Sequence, residues 1–280
     1  MKPLSCQALE RVGKNWKVGK GTREAKLQTI KRFCDFTQKQ FGLQRIENLK
    51  PGHIQEYAKS LHEQNISARV GSNYMAYVRD LCQALGKGGI VAKDNAAYGF
   101  GGVPRQNPLD VNIDKIADMR SMLDAKAATG DRIAMMMAAN AEMRDAFGLR
   151  QKEAMLSNEV VVKDGRKCLE VEGANGGRPR EIPIRNQKQL NALERVAATA
   201  KILANANGRA IPPELSLKAA MRAESKAWNK MGGTRVAKAN MHAQRHAYAQ
   251  VRLAEGATKA EVNRELGHGD HRSLGFYSNK

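Results

Sequence analysis

The residues able to do chemistry gather toward the end of this 280-residue chain. His242-Ala243-Gln244-Arg245-His246 is followed by Leu266-Gly267-His268 and, nine residues after that histidine, by Tyr277. A tyrosine hydroxyl, cationic and imidazole donors on one helix and a further histidine at a helix end are the parts needed to attack a phosphodiester without a metal. Fixed donors must clamp the phosphate charge, the phenol must lose its proton, and the departing sugar oxygen must gain one.

Composition bounds the partner. Lys plus Arg number 47 against 28 Asp plus Glu, a formal net charge of +19. Such an excess favours a polyanion and steers it electrostatically. Nucleic acid fits best. An acidic membrane is the other polyanion, yet no basic amphipathic helix stands apart from the folded pattern, and no membrane partner is expected. Cys6, Cys34, Cys82 and Cys168 are scattered without a CxxC pair, which suits reduced packing thiols rather than disulfides or a zinc knuckle. The first residues lack an apolar signal core and no run approaches the length of a membrane span, so the expectation is a cytoplasmic protein that needs neither metal nor cofactor.

Periodicity supplies the elements that must position the chemistry. Apolar residues at Leu27, Ile30, Cys34 and Phe41, with Phe33 and Phe36 beside them, predict a helix over 22–41, stopped by Gly42. Pro51 opens a second, with Ile54, Tyr57, Ala58 and Leu61 inward. A third covers 67–85, with Val70, Tyr74, Val78, Leu81 and Leu85 inward, and a weaker one covers 9–18. These make a helical domain over 1–95. Gly99, Gly101, Gly102, Pro104 and Pro108 break both periodicities and predict a linker over 96–112.

Beyond the linker, 113–127 and 130–147 read as helices, the second with Ile133, Met136, Met137 and Ala141 able to face a core. Strands are expected at 159–163 and 168–172, joined through Asp164-Gly165, and at 180–184. Helices resume at 187–204, 213–230, 238–255 and 258–266, the last with Thr258 and Glu261 as a capping box and Gly267 as its stop. The expected fold is mainly α with a small antiparallel β-sheet, in the α+β class, with a second domain over 113–280.

Phe147-Gly148-Leu149-Arg150-Gln151-Lys152-Glu153, the HAQRH and LGH runs and Tyr277 together, in this order and spacing, resemble the tyrosine recombinase (phage integrase) family. The resemblance implies a SAM-like helical core-binding domain followed by a tyrosine recombinase catalytic domain, the two gripping double-stranded DNA. It makes Tyr277 the nucleophile that forms a 3′-phosphotyrosine, the nine-residue spacing from His268 setting it apart from a merely frayed terminal tyrosine. It gives Arg150 and Arg245 the non-bridging phosphate oxygens, a task suited to a planar fork that stays charged. His242 would manage the tyrosine proton, His268 would donate to the phosphate, and Glu153 would orient its neighbours. His246 reads as a packing histidine. The implied activity is DNA breakage and rejoining by a simple two-domain enzyme of a mobile genetic element, through a tetramer formed on paired DNA sites.

Two features depart from the family pattern. Relatives carry a lysine in the turn before the third strand, where it protonates the leaving oxygen, and Asn175 stands at that place in Gly173-Ala174-Asn175-Gly176-Gly177-Arg178-Pro179-Arg180. Arg178 and Arg180 hold their protons too tightly to replace it. Lys163 or Lys167 on the adjacent hairpin would have to reach in, or else the chain is a weakened or inactive recombinase that acts as a DNA-binding, architectural protein. Only Ser278, Asn279 and Lys280 follow Tyr277, where many relatives continue into a helix that docks on the next protomer, so a monomer in free solution is expected. Arg69, Asn73, Lys87 and the stretch 11–20 are candidate DNA contacts. A metal hydrolase built on His242, His246, His268 and His271 is the competing enzyme, but Ala243 stands where the zinc-protease helix needs glutamate.

Overall fold

The computed structural model describes residues 2–13, 18–101, 110–173 and 178–268. The chain divides into two compact units, Met1–Pro104 and Arg105–Lys280.

The first unit packs four helices, α1 (Leu4–Val12), α2 (Lys20–Phe41), α3 (Pro51–Glu63) and α4 (Ala68–Ala84), around Ile30, Phe33, Ile54, Tyr57, Leu61, Met75, Val78 and Leu81. Helix α1 starts and ends earlier than its expected span of 9–18. Leu4 and Ala8 are its buried residues, and Gly13, at φ +73°, turns the chain out of the helix. Helix α4 buries Val78 and Leu81 as expected, with Tyr74 and Leu85 half-buried beside them, but Gly71, Met75 and Cys82 also point inward, whereas Val70 is 38% exposed. The cause lies in the Gly-rich stretch. Phe100 is buried in this core, stacked on His62 with ring centroids 4.2 Å apart, and its ring lies only 2.2 Å from where a Cβ on residue 71 would be. Glycine at 71 therefore admits the aromatic ring, and the α4 face nearest it becomes the inner one. A 3-10 turn at Asn95–Tyr98, capped by Asp94 and tied to Ser72 through Asn95, packs in the same way. The first part of the expected linker thus belongs to this unit.

The second unit is organised around α6 (Arg132–Phe147), which packs against α5 (Ile113–Ala128), α8 (Gln187–Ile202) and α10 (Met241–Ala254). The sequence pattern gave α6 one inward face. It is buried nearly all round, because its Ala and Met side chains let neighbours approach from every side. The other elements are α7 (Gln151–Leu156), α9 (Leu217–Lys230), α11 (Lys259–Leu266) and an antiparallel sheet of β1 (Val160–Lys163), β2 (Arg166–Val171) and β3 (Arg180–Pro183) in the order β1-β2-β3. Asp164 and Gly165, at φ +50° and +72°, make the tight β1–β2 turn. The register pairs Val160 with Leu169, Leu169 with Ile182 and Val171 with Arg180. Two helices start later than expected. Ser216 caps α9 rather than Pro213 opening it, and Asn240 caps α10 after Lys238 at φ +54°.

Cys34, Cys82 and Cys168 are buried thiols and Cys6 is exposed. Among the described residues no helix is long and apolar enough to cross a membrane, and no group of three or more His, Cys, Asp or Glu side chains could hold a metal ion.

Candidate active site

The site begins where α6 stops. Gly148 closes that helix at φ +64°, its N–H donating to the Arg144 carbonyl, and a Cβ there would lie 2.4 Å from the Tyr248 ring. Both the left-handed backbone and the close approach require glycine. The turn delivers Arg150 to the N-terminal cap of α7, where Glu153, one helical turn on, reaches back. The Arg150 N–H donates to Glu153 Oε2 and its Nη1 to Oε1, each at 2.9 Å. The Arg150 side chain remains 20% exposed.

A second arginine grips the same carboxylate. Arg180 opens β3, and strand alternation turns it to the inner face with Ile182. Its Nη1 and Nη2 donate to the two oxygens of Glu153 at 3.2 and 3.0 Å, and its Nε donates to the Glu265 carbonyl at 2.6 Å. Burial opposes charge on Glu153, but the hydrogen bond and charge of Arg180, followed by the backbone N–H and charge of Arg150, win and hold its carboxyl down at about 2. A third guanidinium, that of Arg245 on α10, lies 3.8 Å from Glu153 Oε2.

Arg245 is wholly buried. Its Nη1 donates to the Gly148 carbonyl at 2.7 Å, its Nη2 to the Leu266 carbonyl, and Nη2 also lies 3.0 Å from His268 Nε2. Since a guanidinium only donates, Nε2 accepts here and the neutral ring carries its proton on Nδ1. Helix α11 sets that histidine in place: Thr258 and Glu261 form the capping box, and Gly267 ends the helix at φ +63°. His242 and His246 stand one turn apart on α10, edge to face at 5.0 Å. All three imidazoles are pushed down from the ordinary 6.5 to about 4, by burial first. For His242 the neighbouring charges of His246, Arg245, Arg150 and Arg235 add to it, and for His268 those of Arg245, Arg150, His242 and Arg180. At neutral pH they are uncharged bases held among arginines.

A family model described as "Integrase" matches residues 112–251, and one described as "Phage integrase, N-terminal" matches residues 2–91. The chain belongs to the integrase family. No curated protein matched it in sequence. Its fold is that of tyrosine recombinases, with a mostly helical second unit carrying the three-stranded sheet. Similar structures include a lambda integrase tetramer bound to a Holliday junction (TM-score 0.66, 13% identity, 99% of this chain and 77% of that one). The XerH site-specific recombinase in a post-cleavage complex with palindromic difH substrate gives 0.65 at 14% identity, over 91% and 75% of the two chains. The Tn1549 transposon integrase in complex with circular intermediate DNA gives 0.62 at 16%, over 100% and 96%.

In this integrase-family chain, Arg150, Glu153, His242, Arg245 and His268 come together as one cluster. Tyr277 and Asn175 lie outside the described residues, as does His271. The two hairpin lysines stand away from the cluster. Lys163 pairs with Glu181 at 2.9 Å, on the sheet face opposite Arg180. Lys167 shares the inner face with Val171 but sits four residues from it, roughly 13 Å along the strand. Arg178 is exposed, and its carbonyl lies 3.5 Å from Arg180 Nη1. In the sequence Arg180 stands out only as a poor proton donor, and the alternation that puts Ile182 inward is the signal for its place. A buried set behind the site also went unread: Arg144 donates to Glu224 at 2.6 Å and to Gln244 at 2.7 Å, and Gln151 donates to Glu224 at 2.9 Å.

Proposed function

We propose that this chain is a site-specific DNA recombinase or integrase that breaks and rejoins double-stranded DNA through a 3′-phosphotyrosine at Tyr277. The observation that supports this reading is the cluster in which Arg150, Arg245 and His268 are fixed around one buried carboxylate, with neutral His242 beside them. The Tyr277 oxygen attacks the scissile phosphorus and the bond to the 5′ oxygen breaks. His242 takes the phenolic proton, and the departing 5′ oxygen gains one. Arg150 meets the non-bridging oxygens first, being the arginine open to solvent, and Arg245 meets them only after its covering atoms shift. A phosphate that replaces Arg245 as the partner of His268 Nε2 raises the imidazole toward its ordinary range, and the ring then donates.

In this reading the first unit, whose core takes in Phe100, forms the core-binding domain, the remainder of the stretch up to 112 is the linker, and 113–280 is the catalytic domain. Four protomers assemble on paired sites, as the lambda integrase tetramer does on its Holliday junction, and the work is done in the cytoplasm. With Asn175 at the lysine place, protonation of the 5′ oxygen is the weak step and cleavage is slow. A second reading, a DNA-binding protein whose chemistry is idle, draws on that asparagine alone.

Covalent capture separates the two. The target is first identified by selection from random DNA, and a nicked version of it is then incubated with the protein. The recombinase gives an SDS-resistant adduct that Tyr277→Phe abolishes. Tight binding to the selected site with no adduct from the parent chain supports the idle binder.

A further inference from the structure

We propose that Arg180 is a positioning residue, the counter-charge that keeps Glu153 from sequestering the two phosphate-binding arginines. Glu153 is one buried carboxylate facing three guanidiniums. A carboxylate and a phosphate compete for the same planar fork, so an unshared Glu153 would draw Arg150 and Arg245 onto itself. Arg180 prevents this by occupying both carboxylate oxygens with two parallel N–H donors. Arg150 then contributes one side-chain nitrogen and its backbone N–H to Glu153, and keeps an exposed edge.

The same side chain also fixes the histidine turn. Its Nε holds the Glu265 carbonyl, and it passes so close to Gly267 that a Cβ there would be 2.8 Å from Nη1. His268 follows directly, with its ring against Arg245. One guanidinium thus ties the N-terminus of α7, the start of β3 and the end of α11 together. Its side chain is 5% exposed, so Arg180 acts through Glu153 and the turn rather than by touching DNA.

This inference rests on the recombinase reading, and its test keeps the two apart. Single-turnover adduct formation on the nicked site and DNA affinity are measured for the parent, Arg180→Gln, Arg180→Lys and the double variant Arg180→Gln with Glu153→Gln. Arg180→Gln should slow cleavage about 100-fold, the size of effect a misplaced catalytic group produces, while affinity moves less than about threefold. The double variant, in which nothing remains to sequester the arginines, should recover at least about tenfold of that loss, with the rates measured at a temperature where urea unfolding shows every variant fully folded, so that regained stability is not the cause. Parent-like cleavage by Arg180→Gln, or no recovery in the double variant, overturns the proposal. Should Arg180→Gln not fold, Arg180→Lys decides: it keeps a charge over Glu153 but loses the fork, and should cleave about tenfold slower at unchanged affinity. Parent-like cleavage by that variant overturns the proposal as well.

An absent adduct from the parent chain counts against the recombinase reading instead. In that case ¹³C-histidine NMR of the full chain still tests Arg180. Its charge helps to hold the His268 imidazole down, so the ring should titrate higher in Arg180→Gln, and an unmoved titration refutes the placement.

Discussion

Lowering the pH from about 7.5 to about 5.5 should weaken the second unit well before its carboxylates titrate, and one share of that loss can be isolated at His246. Burial first, and then the charge of Arg245, bring this imidazole from 6.5 down to about 4. The folded chain resists a proton that the unfolded chain takes up. The contribution is therefore present in full above about 6.5 and is lost as the pH falls toward about 4. At pH 5.5 an unfolded histidine is about nine-tenths protonated while the folded one is nearly neutral, and linkage converts this into a loss of about 1.4 kcal/mol for the one group. His242 and His268 are displaced in the same direction. Because they share the field of Arg245, the sum falls short of three equal parts. Urea unfolding of the full chain, followed by Trp228 fluorescence in a Trp16→Phe background, reads the second unit alone, since Trp228 is buried in that unit's core. His246→Gln removes the titrating group, and its stability should differ between the two pH values by about 1 kcal/mol less than that of its parent. Equal pH sensitivity in parent and variant would refute the reasoning.

Three further outcomes are expected. Gly71→Ala places a methyl 2.2 Å from the Phe100 ring and should cost about 1–3 kcal/mol in urea unfolding of the first unit, most of it returned by adding Phe100→Leu; a neutral Gly71→Ala would remove Phe100 from that core. Arg144→Met strands Glu224, whose side chain has no exposure, and should cost about 3–5 kcal/mol, whereas the double change to Arg144→Met with Glu224→Met should recover more than half. Equal loss in single and double variants would mean that volume rather than stranded charge sets the cost. On the proposed reading, Asn175→Lys supplies the missing general acid and should speed adduct formation about 100-fold at unchanged DNA affinity, so an unchanged rate would show that another group already supplies the proton.

The elements were legible because most of their signals are local. Thr258 with Glu261, Gly267, Gly148 and the Asp164-Gly165 turn each act within a few residues, and each stands where its chemistry required. The inner face of α4 was legible at Val78 and Leu81 but not in its first turns, where Gly71 rather than Val70 turns inward to meet Phe100, far along the chain in a stretch whose glycines read as linker. The all-round burial of α6 was likewise hidden, since Asn140 and Arg144, polar residues that read as solvated, are themselves buried among its Ala and Met side chains. At the site, residue types and order brought out Arg150, His242, Arg245 and His268, which do converge. Arg180 escaped because an arginine at a strand start reads as solvated, and only its partner, Glu153 on another element, makes its burial affordable.

That partnership explains how such a site can exist before DNA arrives. Three guanidiniums packed together would repel one another and resist burial, and a single buried carboxylate offsets only part of their charge. Among the described residues no second acid inside the cluster completes the neutralisation. The protein meets two donors of Arg245 and one of Arg180 with backbone carbonyls at Gly148, Leu266 and Glu265, which accept hydrogen bonds without adding a negative charge, and it keeps the surrounding histidines uncharged. The cluster is left geometrically fixed and electrostatically short of negative charge, with three guanidiniums against one carboxylate. A phosphodiester supplies part of what is missing and its more highly charged transition state supplies more, so the positive field that makes the empty site costly to fold is the same field that stabilises charge on a bound, reacting phosphate.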